Sequence, residues 1–184
     1  MRIVGGRFRG HRLKAPDDDR VRPTTDRVRE SLFNILVHME PSVLQDAVVL
    51  DLFAGTGALG LEALSRGAER AVFVDSDPRS LALVRANAEA LGVVHECRML
   101  RADATRLAAG GPAAGLAFLD PPYGRNLIEP ALTAARKGGW LAPGAVVVIE
   151  APAREVVALP DGFAVFDRRR YGDSVILIVR CATN

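Results

Sequence analysis

Short apolar runs, most of them ending in a polar residue, recur along the chain between residues 48 and 150. Stretches in which apolar side chains repeat at helical spacing separate them, for example Leu59–Arg66 and Pro78–Leu91. Short buried strands that alternate with helices are typical of an α/β protein with a parallel sheet and helices on both faces. The five predicted strands are Val48–Phe53, Ala71–Asp75, Cys97–Ala102, Leu116–Leu119 and Ala145–Glu150.

The pattern changes near the end of the chain. Two further strands, Phe163–Arg170 and Val175–Arg180, are separated only by residues 171–174. A parallel connection needs a crossover of a dozen residues or more, whereas antiparallel strands can be joined by a short turn. The sequence therefore predicts a terminal antiparallel hairpin.

The region before residue 47 has a different pattern. Weak alternation over residues 2–15, with a turn at Arg9–His11, predicts a short β-hairpin. A helix is expected to begin within Pro23–Asp26, where a threonine can cap its N-terminus, and to end before Pro41. One face of this helix is apolar and is expected to lie in the core. That face consists of Val28, Leu32, Ile35, Leu36 and Met39.

Charge is distributed unevenly, although the net charge is only +2. Residues 1–15 carry five basic side chains and no acidic one, and Phe8 lies between two arginines. A solvated arm would have this charge, but the interleaved aromatic ring and the neighbouring glycines favour contact with a polyanion. The predicted contact residues are Arg7, Phe8, Arg9 and Arg12.

Length and composition limit the class of protein. A chain of 184 residues is expected to form one domain with a real core and to be a monomer. Its apolar runs are far too short to span a bilayer, and its N-terminus lacks a secretory signal. Cys97 and Cys181 are expected to be buried thiols of a cytoplasmic protein. The three histidines have no metal-ligand spacing, so no metal is predicted.

A glycine-rich loop, Asp51–Gly60, joins the first strand of the alternating region to a helix. In open α/β sheets, ligands bind beyond the carboxyl ends of the strands, so a nucleotide-like cofactor is expected here. Gly55, Gly57 and Gly60 have the spacing of a dinucleotide-binding motif, and Asp75 follows in the position of a ribose-binding acid. On this motif alone, NAD and S-adenosylmethionine are both candidates.

Three features favour S-adenosylmethionine. Asp51 comes directly before the loop, where a carboxylate would repel a pyrophosphate but attract a cationic amino group. Asp103, followed by Ala104, comes after the third strand and can accept a hydrogen bond from an adenine amino group. Nothing later in the chain resembles a nicotinamide site. Asp51, Asp75 and Asp103 thus follow three successive strands at one edge of the sheet.

The tetrapeptide Asp120-Pro121-Pro122-Tyr123 directly follows an apolar strand. Its prolines fix φ and contribute carbonyls without backbone donors. Asp120 and a proline carbonyl can accept both hydrogens of a planar amino group, and Tyr123 offers a face on which a base can stack. We interpret the motif as a site for an exocyclic base amine, which on its own fits either adenine or guanine.

With these motifs the chain resembles the class I S-adenosylmethionine-dependent methyltransferases. More narrowly, it resembles the bacterial family that methylates N2 of a guanine in 16S ribosomal RNA. The resemblance covers nearly the whole chain and rests on Arg2–Gly10, Arg22–Thr24 with Arg27–Asn34, Asp51–Gly60 and Asp120–Tyr123.

The resemblance implies a Rossmann-like, seven-stranded sheet in the order 3-2-1-4-5-7-6 with strand 7 antiparallel. It also implies that residues 1–22 form a basic arm that contacts RNA and that residues 23–184 form the methyltransferase domain. The partner would be 16S rRNA, within the small ribosomal subunit or a precursor particle.

Roles for single residues follow from the same resemblance. Gly55 and Gly57 would line the methionine part of the cofactor, Asp75 would hold the ribose, and Asp103 with Ala104 the adenine. Asp51 and Phe53 would complete this site. Asp120, Pro121, Pro122 and Tyr123 would hold the guanine, and the basic arm would bind RNA phosphates.

Two alternatives remain at this point. A DNA or RNA adenine-N6 methyltransferase would use the same Asp120–Tyr123 motif, although the chain is too short for a separate DNA-recognition domain. A non-catalytic RNA-binding assembly factor would retain the fold with a vestigial cofactor site, which the intact glycine loop and acidic residues argue against.

Overall fold

The computed structural model describes residues 1–15 and 25–183. Within these residues, seven strands form one sheet in the order β3-β2-β1-β4-β5-β7-β6. Strands β1 to β5 are parallel, and β7 is antiparallel to both of its neighbours. The predicted strand order and the terminal hairpin are therefore confirmed. The strands are β1 (Val48–Leu52), β2 (Arg70–Asp75), β3 (Cys97–Arg101), β4 (Ala114–Leu119), β5 (Leu141–Pro152), β6 (Phe163–Tyr171) and β7 (Ser174–Cys181).

Helices cover both faces of the sheet, as predicted. They are α1 (Asp26–Met39), α2 (Ala58–Ser65), α3 (Pro78–Leu91) and α4 (Ile128–Lys137). Helices α1, α2 and α3 pack on one face of the sheet and share one apolar cluster, whereas α4 packs on the other face against a second cluster. Between β3 and β4 the described chain forms only a 3-10 turn, Ala104–Arg106, so the regular alternation of strand and helix is interrupted there.

Helix α1 begins where the sequence predicts. The hydroxyl oxygen of Thr25 accepts a hydrogen bond from the Val28 N–H at 3.3 Å and caps the helix. Pro23 and Thr24 lie outside the described residues. The buried face differs from the predicted stripe, because Phe33 and the charged Arg29 are buried in it. The flanking apolar residues of that stripe are only partly buried: Val28, Ile35 and Met39.

The N-terminal arm, residues 1–15, packs onto the main domain. Ile3 and Leu13 are buried in the apolar cluster on the α1–α3 face. The predicted hairpin is reduced to one antiparallel bridge between Arg2 and Arg12, and a 3-10 turn over Gly6–Phe8 occupies its loop. The arm thus shares the core of the main domain, and the predicted boundary at residue 22 lies outside the described residues.

None of the helices over residues 1–15 and 25–183 is long and apolar enough to cross a membrane. In the same part of the chain, His, Cys, Asp and Glu side chains do not gather in groups of three that could hold a metal ion.

Candidate active site

Three predicted acidic residues meet on one face at the carboxyl edge of the sheet. Leu52, the last residue of β1, pairs with Val74 in β2 and with Leu119 in β4. These three side chains belong to the cluster on the α4 side. Because successive side chains of a strand alternate between faces, Asp75 and Asp120, which follow Val74 and Leu119, point to the α1–α3 side. Asp51, which precedes Leu52, points there as well.

The loop after β1 has the backbone conformation that its glycines predict. Gly55 and Gly57 have φ of +54° and +77°, in the left-handed region that glycine tolerates. Phe53 also has a positive φ, +60°, so β1 ends one residue earlier than predicted. Its ring packs against the apolar cluster on the α4 side. A non-glycine residue held in this strained conformation is a feature of functional loops.

Asp51 is buried behind this loop, with 2% of its surface exposed. Its Oδ2 accepts a hydrogen bond from the Gly60 N–H at 2.9 Å. A Cβ at residue 60 would lie 2.4 Å from the Phe73 ring, so this close approach requires glycine. Burial, with smaller contributions from the charges of Asp120 and Asp75, raises the pKa of Asp51 to about 8. A cationic ligand group beside Asp51 would favour its ionised form, so the site suits a positively charged cofactor.

Asp75 and Asp103 are held as hydrogen-bond acceptors by their own loops. Asp75 accepts from the Gly55 N–H at 2.9 Å and from the Asp77 N–H at 2.8 Å. Asp103 accepts from the Thr105 N–H at 2.9 Å and from its hydroxyl at 2.7 Å, and these bonds lower the pKa of Asp103. Ala104 is buried directly behind Asp103. The predicted cofactor residues therefore lie along the ends of β1, β2 and β3.

The Asp120–Tyr123 motif extends from the end of β4. Pro121 is buried, Pro122 is exposed, and 49% of Tyr123 is exposed. Burial, with a smaller contribution from the negative charge of Glu150, raises the pKa of Asp120 to about 7. The Tyr123 hydroxyl shares a hydrogen bond with the Ser174 hydroxyl at 3.0 Å and donates to Glu150 Oε1 at 3.4 Å. These bonds fix the ring at the mouth of the site.

Glu150 and Ser174 are two site residues that the sequence analysis did not assign. Glu150 follows the buried apolar residues of β5 just as Asp75 and Asp120 follow those of their strands. That position was a usable signal in the sequence. Ser174 carried no such signal, because its contact with Tyr123 depends on the pairing of β7 with β5.

The arm has two ends that lie at opposite edges of the sheet. Its base contacts the glycine-rich loop Asp51–Gly60: the buried Asn87 amide donates to the carbonyls of Thr56 at 3.0 Å and Lys14 at 3.1 Å. Its tip contacts the other end of α2, where the Phe8 N–H donates to Ser65 Oγ at 3.0 Å. Eight helical residues separate the two ends, roughly 12 Å. The structure therefore places the arm base, but not the tip, beside the glycine-rich loop of the candidate site.

The four arm residues predicted to bind RNA are divided by this arrangement. Arg7 at the tip forms an ion pair with Glu96, next to the start of β3, and its guanidinium lies over the Phe8 ring. Phe8 itself packs against the core. Arg9 and Arg12 are exposed, and Arg12 is bridged to Arg2 at the base.

Comparison with known proteins identifies the family. The family model described as "Conserved hypothetical protein 95" matches residues 1–180. The chain is 38% identical to ribosomal RNA small subunit methyltransferase D of Escherichia coli K12, over 95% of this chain and 93% of the relative. The chain belongs to the ribosomal RNA small subunit methyltransferase D family. The predicted family is thereby confirmed, and membership supports methyl transfer to ribosomal RNA as the general activity.

Solved structures agree with this membership. A structure from Escherichia coli that carries the name methyltransferase yhhF superposes with a TM-score of 0.87 at 35% identity, over 100% of this chain and 99% of that one. An RNA methyltransferase from Salinibacter ruber, solved with S-adenosyl-L-homocysteine, shares the fold with a TM-score of 0.63 at 18% identity, over 84% of this chain and 93% of that one. The chain has the fold of the S-adenosylmethionine-dependent methyltransferases, as predicted.

Proposed function

We propose that this protein transfers a methyl group from S-adenosylmethionine to the exocyclic N2 of a guanine in 16S rRNA, within the small ribosomal subunit or a precursor of it. One observation carries the proposal. Asp120 follows β4 on the same face of the sheet as Asp51 and Asp75, and the exposed Tyr123 ring stands beside it. This arrangement supports a base amine held next to a methyl donor.

The cofactor residues fit the parts of S-adenosylmethionine, whose sulfonium supplies the methyl group. Asp51 would balance the positive charge of the ligand, because burial and the neighbouring negative charges of Asp120 and Asp75 otherwise disfavour its ionised form. Gly55 and Gly57 allow close backbone approach at the loop. Asp75 would accept from the ribose hydroxyls, and Asp103 from the adenine amino group.

The Asp120–Tyr123 motif would act on the guanine N2 amine, which is the nucleophile of the reaction. A guanine amine is a poor nucleophile because its lone pair is delocalised into the ring. Asp120 and the Pro121 carbonyl would accept its two hydrogens and favour a pyramidal nitrogen whose lone pair is free to attack. The Asp120 charge then stabilises the positive charge that develops on N2, and its carboxylate accepts the proton that N2 loses. Tyr123 would stack on a base extruded from its helix.

The proposal predicts a dependence of activity on pH. Ionised Asp120 supplies the negative charge and the site that takes the proton from N2, whereas the protonated acid keeps only an acceptor oxygen, and the pKa of Asp120 is raised to about 7. We therefore expect kcat/KM for the small subunit, measured at saturating S-adenosylmethionine, to rise with pH and to level off above about pH 7. Initial rates between pH 5.5 and 9, with stability checked at each pH, would measure this. A flat profile between pH 6 and pH 8 would contradict the assigned role of Asp120.

A second prediction concerns the arm. We propose that RNA phosphates contact Arg9 and Arg12, whereas Arg7 and Phe8 anchor the tip. Arg12→Gln is expected to weaken 16S RNA binding about 3- to 10-fold at low salt and to reduce the salt slope by about one. Arg7→Gln serves as the matched control and should have the smaller effect. Filter binding across a salt series would test the order, and a larger loss in Arg7→Gln would reverse the proposal.

One experiment tests the proposed function as a whole. The protein is incubated with labelled S-adenosylmethionine and, separately, with small ribosomal subunits, naked 16S RNA and DNA, and the nucleosides are then analysed. N2-methylguanosine in the ribosomal RNA is the expected product. N6-methyladenine would support the adenine alternative instead. Cofactor binding without transfer to any of these substrates would support the assembly factor.

A further inference from the structure

Glu150 is a second carboxylate beside Asp120. The register of β4 and β5 pairs Leu119 with Ile149, so Asp120 and Glu150 are the next residues on adjacent strands. Leu119 and Ile149 both belong to the cluster on the α4 side. Since side chains alternate along a strand, both carboxylates point to the α1–α3 side, where the cofactor acids lie.

Contacts hold Glu150 at the mouth of the site. The Tyr123 hydroxyl donates to its Oε1 at 3.4 Å and is itself bonded to Ser174 at 3.0 Å. The ring proposed to stack on the target base is thus connected directly to the Glu150 side chain. A base stacked on Tyr123 with its amine at Asp120 would present its Watson–Crick edge to this pair of carboxylates.

The two candidate bases differ along that edge. Guanine places the N1–H donor next to the N2 amine, so it offers donors to two neighbouring acceptors. Adenine places the N1 lone pair next to the N6 amine, so one of two neighbouring carboxylates would face an acceptor and remain unpaired. A buried polar group left without its partner costs more than the hydrogen bond itself contributes. A pair of ionised carboxylates therefore selects guanine.

We propose that Glu150 is a specificity-determining residue that accepts a hydrogen bond from the N1–H of the target guanine. Asp120 and the Pro121 carbonyl hold the N2 amine at the same time. This inference rests on the proposed function and deepens it, because the Asp120–Tyr123 motif alone fits either base. Glu150 supplies the feature that the motif lacks.

The test compares two bases at the methylated position, once the wild-type reaction has located it. Small subunits are reconstituted on 16S RNA that carries either guanine or 2,6-diaminopurine there; the analogue keeps the N2 amine but has no N1–H. For the wild type, we expect kcat/KM to be about 10- to 100-fold higher with guanine. For Glu150→Gln the ratio should fall to within a few-fold, because a rotated amide can donate to the unprotonated N1. Glu129→Gln, an exposed position in the first turn of α4, is the matched control and should keep the wild-type ratio.

The outcomes distinguish a failure of this inference from a failure of the proposed function. A wild-type ratio in Glu150→Gln would overturn the role of Glu150, whatever the absolute rate. Calorimetric titration with S-adenosylmethionine shows whether each variant is folded, and Glu150→Asp, which keeps the carboxylate, should retain the preference for guanine at a lower rate. If the wild type forms no N2-methylguanosine in the guanine particle, the proposed function fails, and the inference fails with it.

Discussion

The Asp120→Ala variant is expected to transfer methyl groups about 10³-fold more slowly than the wild type, with the affinity for S-adenosylmethionine nearly unchanged. Removing one preorganised group that stabilises transition-state charge costs rates of this order. Asp120 follows β4, and Tyr123 of the same motif contacts Glu150 in β5. The predicted cofactor residues follow β1 to β3 instead. Single-turnover rates with small subunits and calorimetric titration of the cofactor would measure the two quantities separately.

The stability of a second variant, Asp120→Asn, provides the control for loss of structure. The folded-state pKa of Asp120 is raised from 3.8 to about 7, so between these values the folded protein binds more protons than the unfolded chain. The contribution of Asp120 to stability therefore falls as pH rises through this range. Asp120→Asn removes the cost of the buried charge and should make the free protein about 1–3 kcal/mol more stable at pH 8, with little change at pH 4. A slow variant that is folded and more stable has lost chemistry, not structure.

Two results would contradict this account. Turnover close to wild type in Asp120→Ala would remove Asp120 from the mechanism. A parallel loss of cofactor affinity would place Asp120 in the cofactor site instead. Asp120→Asn keeps one acceptor oxygen without the charge, so its rate should lie between those of alanine and the wild type.

The local pattern of the sequence was sufficient to predict the sheet and the edge at which most of the candidate site residues lie. Apart from β3, each strand of the alternating region contains a short apolar run, and Asp51, Asp75 and Asp120 lie at strand ends where the direction of the chain fixes the edge they occupy. Parallel strands bring such ends together whatever the details of packing. The Asp103 position follows from the same rule. These features depend only on residues close together in the chain.

Features that depend on pairing between distant segments could not be predicted in the same way. The contact of Glu150 with Tyr123 requires the register of β4 with β5, which are separated by helix α4. The arm shows the same limit, since its charge pattern does not indicate that Arg7 pairs with Glu96. Arg29 is the clearest case. A helical wheel places it beside apolar residues and three residues after Asp26, with which it pairs at 2.9 Å, but only the fold supplies its second, fully buried carboxylate.

That carboxylate is Glu62, and it connects three parts of the molecule. Both side chains are buried, with 1% of Arg29 and none of Glu62 exposed, and they form an ion pair at 3.6 Å. Glu62 also pairs with Arg66 at 2.7 Å and accepts from the Val4 N–H of the arm at 2.8 Å. Arg29 donates to the Arg2 carbonyl of the arm. One carboxylate thus holds α1, α2 and the arm together behind the cofactor loop.

Replacing Glu62 by alanine is therefore expected to lower the free energy of unfolding by about 3–5 kcal/mol, because the buried Arg29 keeps Asp26 but loses this carboxylate, and Arg66 and the Val4 N–H lose it as well. For a chain of this length the melting temperature should fall by about 6–20 °C. Glu69→Ala is the matched control: Glu69 pairs with Arg70 on the surface, at 3.2 Å, and its loss should change stability by less than about 1 kcal/mol. Thermal and urea unfolding would measure both variants, and a Glu62→Ala protein as stable as Glu69→Ala would contradict this role.

The loss of Glu62 should also weaken cofactor binding, because Gly60, whose N–H donates to Asp51, lies two residues before Glu62 in α2. The arm would then act on methyl transfer through the cofactor loop as well as through any contact with RNA.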